Sequence, residues 1–263
     1  MMEHMEQAEK TNGISEAEKL RFKRICFESL GEEMSRRSIG MYKEKRLHAI
    51  LKRYFCPNTE KHEVRIGSYT ADILDGDTVY EIQTGSFFPM QKKIEYYLQN
   101  TEYKINAVCP LAANKWVSWI DPQNGSISAH RRSPKQERTQ DALREMFWLS
   151  SFLADSRLTV TVMLLGIEEY RILDGWDTSR KKGSGRYERI PVSLIGVETF
   201  CTAEDYCRFL PEPYRFTASE FAKHVGLKGR GAYYALHTLE ALGLVSPTDE
   251  KIGRAVVWQK NKL

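Results

Sequence analysis

Three polar residues in the first third of the chain have the types and spacing of a metal-binding hairpin. Asp72 lies in one segment with strand-like alternation, Glu81 and Gln83 lie in the next, and Asp75-Gly76 between them is a typical hairpin turn. Residues 81 and 83 share one face of their strand, and an antiparallel partner brings Asp72 beside them. Clustered carboxylates suit Mg²⁺ or Mn²⁺, which can activate water against a phosphodiester. The sequence therefore predicts a divalent-metal site.

Neighbouring residues could complete this site. Glu44, on a helix that precedes the hairpin, is a candidate third metal ligand. Gln83 can orient a water molecule but carries no positive charge, so a lysine of the following helix, Lys92 or Lys93, is the candidate for balancing charge in the transition state. The sequence does not choose between these two lysines.

The periodicity of the chain predicts an α/β fold around these residues. A capping box of Ser15 and Glu18 begins an amphipathic helix within residues 1–38, which we interpret as an accessory helix. The predicted helices that follow cover residues 41–55, 87–98 and 137–154. The predicted strands are HEVRIGSYTADILDG, DTVYEIQTG, YKINAVCPL, KWVSWID and LTVTVMLLGI. A strand that follows a crossover helix can lie parallel to its predecessor, which gives a mixed sheet flanked by helices.

Residues 199–263 have a different pattern, of three helices followed by two short strands. Thr217 and Glu220 form a second capping box, and Gly243 ends the third helix. The order resembles a winged helix-turn-helix, which implies that the third helix enters a major groove and the wing contacts phosphates. The candidate DNA contacts are Arg230, Tyr233, Tyr234 and His237 on the helix and Lys251 and Arg254 on the wing. A winged helix can also serve as a protein-interaction module.

Two further groups of basic residues are candidates for contacts with the DNA backbone. Arg131, Arg132 and Lys135 surround a Ser-Pro turn, and guanidinium groups pair well with phosphate oxygens. Lys182 belongs to the basic loop SRKKGSGR. Because the net charge is only +4, such local clusters matter more than the total. A solvated run of charges would have the same composition.

The segment around the hairpin resembles the PD-(D/E)XK nuclease superfamily, with Asp72 at the first acidic position and Glu81 at the second. The motif lysine is replaced by Gln83, so the pattern is an E-x-Q variant. The stretches EKRLHAILKRYF, YTADILDGDTVYEIQTGSF and HRRSPK also resemble an uncharacterised prokaryotic family with a C-terminal winged helix. The resemblance implies a restriction-endonuclease-like domain at residues 39–198, a winged-helix domain at 199–263, and pairing of two copies to cut both strands.

Composition excludes several other classes of protein. The five cysteines are scattered and form no CxxC pair, which argues against disulfides and a structural zinc site and favours free, mostly buried thiols. No stretch approaches the roughly 18 apolar residues of a membrane span, and the first residues lack signal-peptide order, so we expect a cytoplasmic protein. Phosphate-loop and serine-hydrolase motifs are absent, and no organic cofactor is expected.

Three functional hypotheses follow. The first is a Mg²⁺- or Mn²⁺-dependent DNA endonuclease or nickase with the residues named above. The second is a DNA-binding regulator whose nuclease fold is catalytically silent, and the third is a protein-interaction adaptor. Loss of cutting in an Asp72 variant would separate the first from the others, and salt-dependent DNA affinity would separate the second from the third.

Overall fold

The computed structural model describes residues 14–35, 46–176 and 182–262, and side chains are described throughout these ranges except at 30–35, 173–176 and 182–186. The α-helices are α1 Glu16–Ser35, α2 Arg46–Phe55, α3 Gln91–Asn100, α4 Leu143–Met146, α5 Ala218–Val225 and α6 Arg230–Ala241. The strands are β1 His62–Ile66, β2 Tyr69–Asp75, β3 Thr78–Ile82, β4 Lys104–Ile120, β5 Arg131–Arg132, β6 Leu158–Trp176, β7 Lys182–Phe200, β8 Arg215–Thr217, β9 Val245–Ile252 and β10 Ala255–Lys260.

A mixed sheet carries the predicted hairpin. Its strand order is β1-β2-β3-β4-β6-β7, with β5 paired to β4. Strands β2 and β3 are antiparallel, and β3 runs parallel to β4 with helix α3 between them in the chain. The predicted α/β class, with a mixed sheet flanked by helices, is therefore confirmed. The parallel pair also confirms the predicted crossover.

The first predicted strand is two strands in the structure. Gly67 separates β1 from β2 with a φ of +57°, and a Cβ there would lie 1.9 Å from the Tyr96 hydroxyl. Only glycine adopts this backbone without strain, and only glycine leaves room for Tyr96. The prediction of one continuous strand was wrong because the alternation of side chains continues across the turn.

Two other predicted boundaries were wrong. YKINAVCPL and KWVSWID form the single strand β4, because Pro110 and the following small residues do not interrupt the pairing that the sheet imposes. The helix predicted at 137–154 is a chain of short turns, with 3₁₀ helices at Thr139–Ala142 and Phe147–Leu149 around α4. Its buried residues, including Leu143 and Met146, account for the apolar periodicity.

The chain divides into two compact units, each built from three segments. The first comprises residues 1–62, 110–138 and 163–198, and the second comprises 63–109, 139–162 and 199–263. The predicted division into an accessory helix, a nuclease-like domain and a winged-helix domain stays a prediction.

In the first unit, α1 packs against α2. The Ser15–Glu18 capping box predicted for α1 is present, with the Ser15 hydroxyl accepting a hydrogen bond from the Glu18 backbone at 3.2 Å. Phe22 contacts Tyr54 edge to face at 5.4 Å between ring centroids, and Arg21 donates to the Tyr54 carbonyl at 2.7 Å. These contacts attach the N-terminal helix to the helix that begins at Arg46.

In the second unit, the C-terminal segment forms two helices and a three-stranded antiparallel sheet in the order β8-β10-β9. The Thr217 hydroxyl accepts from the Glu220 backbone at 3.3 Å, which confirms the second capping box. Gly243 follows α6 with a φ of +72°, as expected of a glycine that ends a helix. The first helix predicted here is a 3₁₀ helix at Ala203–Phe209, so an α-helix at that position was wrong.

All five cysteines are free thiols, with Cys26, Cys56 and Cys109 buried. Burial raises the pKa of the Cys26 thiol to about 12, so this group stays protonated and unreactive. In the described ranges, no helix combines the length and the apolar composition that a membrane crossing needs.

Candidate metal centre

The β2–β3 hairpin places Asp72 and Glu81 next to each other. Ile73 pairs with Tyr80, so Asp72 and Glu81 are the next residues outward on the two antiparallel strands. The Asp72 carboxylate accepts a hydrogen bond from the Ile82 backbone at 2.7 Å, which fixes one of its oxygens. The structure thus brings together the two carboxylates that the sequence predicted, within the second unit.

Glu81 is the most deeply buried carboxylate of this hairpin, with 3% of its surface exposed. Burial and the charge of Asp72 raise the pKa of Glu81 to about 8, against the opposing effect of the Lys93 ammonium. At neutral pH, the metal-free site therefore holds a proton on Glu81 for much of the time. Strongly shifted pKa values are frequent at functional sites, which makes Glu81 a candidate member of one.

The two oxygens of Glu81 have different surroundings. Oε2 accepts from the Lys93 ammonium at 2.5 Å, whereas Oε1 is buried and makes no hydrogen bond with any described residue. An unsatisfied buried acceptor costs about 1–3 kcal/mol, so its presence calls for an explanation. A divalent cation is one partner that would satisfy Oε1, because carboxylate oxygens are the ligands that Mg²⁺ and Mn²⁺ take.

Helix α3 distinguishes the two candidate lysines. Lys93 faces the hairpin and pairs with Glu81, while its neighbour Lys92 is exposed. The sequence left this choice open because it depends on how α3 is rotated against the sheet. The structure therefore assigns the position beside the carboxylates to Lys93.

Tyr97 is a member of the site that sequence reasoning missed. It lies one turn after Lys93 on α3, is fully buried, and carries a hydroxyl close enough to Glu81 for each group to affect the other. Burial and the nearby Glu81 charge raise the pKa of Tyr97, so the hydroxyl keeps its proton. The four-residue spacing from Lys93 was the signal that could have found it.

Gln83 and Glu44 are the other two predicted site residues. Gln83 follows β3, is half-buried, and uses its backbone N–H to donate to the Val108 carbonyl at 3.0 Å. Glu44 lies outside the described residues. Over the ranges that are described, no cluster of three or more His, Cys, Asp or Glu side chains is arranged to hold a metal ion. Asp72 and Glu81 are thus a two-carboxylate site.

The predicted basic turn lies in the first unit and is exposed. Arg131 and Arg132 form β5, paired with Trp116 and Val117 of β4. Arg132 donates to the Asn114 side chain at 3.2 Å, and Lys135 pairs with Glu137 at 3.0 Å. Lys182 begins β7, but its side chain is not among those described.

The predicted contacts on helix α6 divide into two groups. Arg230 and Tyr233 are exposed, and His237 is held by Glu240 at 2.5 Å and by the Tyr233 ring at 4.2 Å between centroids. Tyr234 instead stacks on Phe147 at 4.6 Å, so this ring face is occupied by the protein itself. The face of Tyr234 that contacts Phe147 is therefore not available to DNA.

The two basic residues predicted to lie on a wing are at the tip of the β9–β10 hairpin. Ile252 pairs with Ala255, which leaves Gly253 and Arg254 as the two-residue turn. Lys251 and Arg254 are both exposed, as a phosphate contact requires.

Comparisons with known proteins place the chain in a family. Residues 45–201, more than half of the chain, match the family described as a domain of unknown function (DUF8091), and the chain belongs to that family. An uncharacterized protein of Treponema pallidum (strain Nichols) is 25% identical over 230 residues, covering 85% of this chain and 88% of that protein. No solved structure matches the chain. The family match contains the whole Asp72–Lys93 site and ends before α5 and α6.

Proposed function

We propose that this protein is a divalent-metal-dependent DNA endonuclease or nickase of the PD-(D/E)XK type. The main support for the proposal is the buried Glu81, which lies beside Asp72 on the adjacent strand. Its Oε1 makes no hydrogen bond within standard geometry, although the Tyr97 hydroxyl lies near this carboxylate. The order of α2, the β1–β3 strands, α3 and a parallel β4 is compatible with that superfamily.

The residues of the site have separate roles in this proposal. Asp72 and Glu81 would hold Mg²⁺ or Mn²⁺, which when bound stabilises the charge on a phosphodiester and makes water more acidic. Gln83 would orient the attacking water through its amide. Lys93 would supply the positive charge that Gln83 lacks, from the next helix instead of the same strand. The buried ring of Tyr97, whose hydroxyl stays protonated, would help to keep bulk water away from Glu81.

We also propose that residues 215–260 form a winged helix that holds DNA. The two helices, the three-stranded sheet and the exposed Lys251 and Arg254 support this assignment. Because Tyr234 packs on Phe147, the open face of α6 is narrow and is centred on Arg230, Tyr233 and His237. Backbone contact by the wing is therefore favoured over extensive reading of bases.

A catalytically silent DNA-binding protein is the second candidate. Lys93 already occupies one oxygen of Glu81, and the pKa of this carboxyl of about 8 keeps it partly protonated at neutral pH. Both features would weaken metal binding at Asp72 and Glu81, as expected of a site that no longer cuts DNA. The two candidates differ only in whether phosphodiester bonds are broken.

Nicking of supercoiled plasmid in Mg²⁺ or Mn²⁺ tests the proposal. We expect the wild type to convert supercoiled to open circular DNA, and Asp72→Asn to be inactive. Lys93→Met should lower the rate by about 100-fold or more, the usual effect of removing one group that stabilises transition-state charge. The matched control is Lys104→Met, which removes an exposed lysine at the start of β4 and should leave the cutting rate unchanged.

Two outcomes would contradict the endonuclease proposal. One is the absence of metal-dependent cutting by the wild type on supercoiled, linear and single-stranded DNA. The other is cutting that survives Asp72→Asn, since this would trace the activity to a contaminant or to another site. With the first outcome, retained DNA binding would favour the silent regulator.

A further inference from the structure

Seven aromatic side chains of the second unit form one continuous series of ring contacts. The series runs Phe88, Trp148, Phe147, Tyr234, Tyr233, His237 and Trp258, and successive ring centroids are 4.2 to 5.6 Å apart. Residues from four separate elements of the chain therefore meet in one feature, which we call the aromatic strip. Its members come from the start of the α3 region, the 3₁₀ helix after α4, helix α6 and β10.

Two rings of the strip are open to solvent. Phe88 is 57% exposed and Tyr233 is 56% exposed, while Trp148 and Tyr234 between them are half-buried. Trp148 contacts both Phe88 at 4.9 Å and Tyr234 at 5.8 Å, so the exposed rings are linked by two partly open ones. Exposed aromatic rings that adjoin one another form an apolar patch that water solvates poorly. Such patches often mark binding sites.

Each part of the strip has a cation four positions away in the sequence. Lys92 follows Phe88, Arg144 precedes Trp148, and Arg230 precedes Tyr234. Residues four apart on an α-helix lie on the same side, so we expect these cations to lie on the same side as the rings. Lys92 and Arg230 are exposed and form no ion pair with another described residue, and Arg144 is steadied by Glu145 at 2.9 Å.

Exposed rings flanked by cations suit one class of ligand better than others. A single-stranded nucleic acid offers unpaired bases that stack on aromatic faces and phosphates that pair with Lys and Arg. Duplex DNA keeps its bases stacked on each other and cannot use Phe88 or Tyr233 in this way. An apolar protein partner would not need the cations Lys92 and Arg230.

We propose that the aromatic strip binds single-stranded nucleic acid, with bases stacked on Phe88 and Tyr233 and phosphates paired with Lys92 and Arg230. Phe88 lies five residues after Gln83 and five before Lys93, so the strip begins close in sequence to the residues of the candidate metal centre. If the proposed function holds, the strand on the strip is the one presented for cutting. Binding itself does not depend on that function.

Fluorescence anisotropy with labelled oligothymidylate and oligouridylate of about 15 nucleotides tests the strip. EDTA is present throughout, so the test does not require the metal centre. We expect Phe88→Ala and Tyr233→Ala each to weaken binding by about 5- to 150-fold, the usual effect of losing one stacked base. Tyr233→Phe keeps the ring and should bind as the wild type does. Arg230→Ala should lower the salt dependence by about 0.7 in the logarithmic slope.

The matched control is Tyr214→Ala, because Tyr214 is 54% exposed in the same unit but lies off the strip. No binding of either oligonucleotide by the wild type would overturn the proposal. Equal losses of oligonucleotide affinity in Tyr214→Ala and Tyr233→Ala would also overturn it. So would strip variants that bind the oligonucleotides as the wild type does but no longer bind a partner protein. Equal affinity for the two probes is expected, and a preference for one would identify the strand as DNA or RNA.

The endonuclease proposal and the strip proposal can be rejected independently. Oligonucleotide binding that survives Asp72→Asn in a protein that never cuts would reject the endonuclease and keep the strip. Metal-dependent cutting unaffected by Phe88→Ala and Tyr233→Ala, without single-strand binding, would reject the strip and keep the endonuclease.

Discussion

Glu81 combines three properties in one side chain: deep burial, a neighbouring carboxylate and a bond to Lys93 through one oxygen only. Burial and Asp72 disfavour its charged form, and Lys93 favours it, with the first two prevailing. A cation would reverse this balance, because it stabilises the ionised carboxylate. The same residue thus connects metal binding, protonation and stability.

The free energy of unfolding should fall as pH rises from about 5 to 8 in the metal-free protein. The pKa of Glu81 is about 8 in the folded chain and near its model value of 4.5 when unfolded, so the folded state binds more protons in this window. The contribution to the slope is at most about 1.4 kcal/mol per pH unit and vanishes above the folded pKa. Urea titrations in EDTA at several pH values measure it.

Glu81→Gln should remove this component of the slope, because the amide does not titrate. Its stability relative to the wild type should therefore increase from pH 5 to 8. A difference between the two proteins that is independent of pH would show that Glu81 is not protonated in the folded state. Glu95→Gln, which changes an exposed carboxylate of α3, is the control.

At the residue scale, the sequence was sufficient to predict that Asp72 and Glu81 are neighbours, because a two-residue turn sets which residues of a hairpin lie opposite each other. It was insufficient to choose Lys93 over Lys92, since the rotation of α3 against the sheet depends on the packing of Ile94 and Tyr97. The raised pKa of Glu81 depends on burial and could not be read from spacing alone.

At the scale of elements, helix α6 is anchored on one side by the segment around α4. Tyr234 stacks on Phe147, and the Thr238 hydroxyl donates to the Leu143 carbonyl at 3.0 Å. Gln140 donates to the Val225 carbonyl at 3.2 Å and ties α5 to the same segment. The C-terminal helices thus share packing with residues about 90 positions earlier in the chain.

Tyr234→Ala should destabilise the protein by roughly 2–4 kcal/mol, because it removes a ring stacked against Phe147 and leaves a void. The adjacent Tyr233→Ala should change stability by less than about 0.5 kcal/mol, since this ring is mostly exposed. Chemical denaturation of both variants makes the comparison. Similar losses for the two tyrosines would contradict the assigned orientation of α6.

Sequence periodicity located most elements and misjudged their ends. β4 was predicted as two strands because the small and polar residues 112–114 look like an interruption, although pairing in the sheet carries the strand through them. The turns between 139 and 149 were predicted as one helix because short 3₁₀ and α turns bury residues at nearly the same spacing. The role of Tyr234 was missed because Phe147 is distant in sequence.

At the scale of the whole molecule, the two compact units interleave along the chain. Residues 199–263 belong to the unit that also contains the hairpin and α4. The predicted linear boundary near 198 separates segments that pack together, such as Tyr234 and Phe147. A segment that resembles a separate module therefore contributes to the core of its unit.

A fragment of residues 1–200 should be much less stable than the full chain and should lose cooperative unfolding. Removing the C-terminal segment exposes Leu143, Met146 and Phe147, which pack in the same unit. Thermal unfolding and limited proteolysis measure the effect. A fragment that melts cooperatively at the full-length temperature would instead support an independent domain at 199–263.

Calorimetric titration of Mn²⁺ into the full-length protein at pH 6.5 and pH 8.5 tests whether Asp72 and Glu81 form a divalent-metal site. We expect one Mn²⁺ to bind, with higher affinity at pH 8.5, where Glu81 loses its proton. This binding should be absent in Glu81→Gln and retained in Glu95→Gln. No binding at either pH, or equal binding by Glu81→Gln and the wild type, would contradict it.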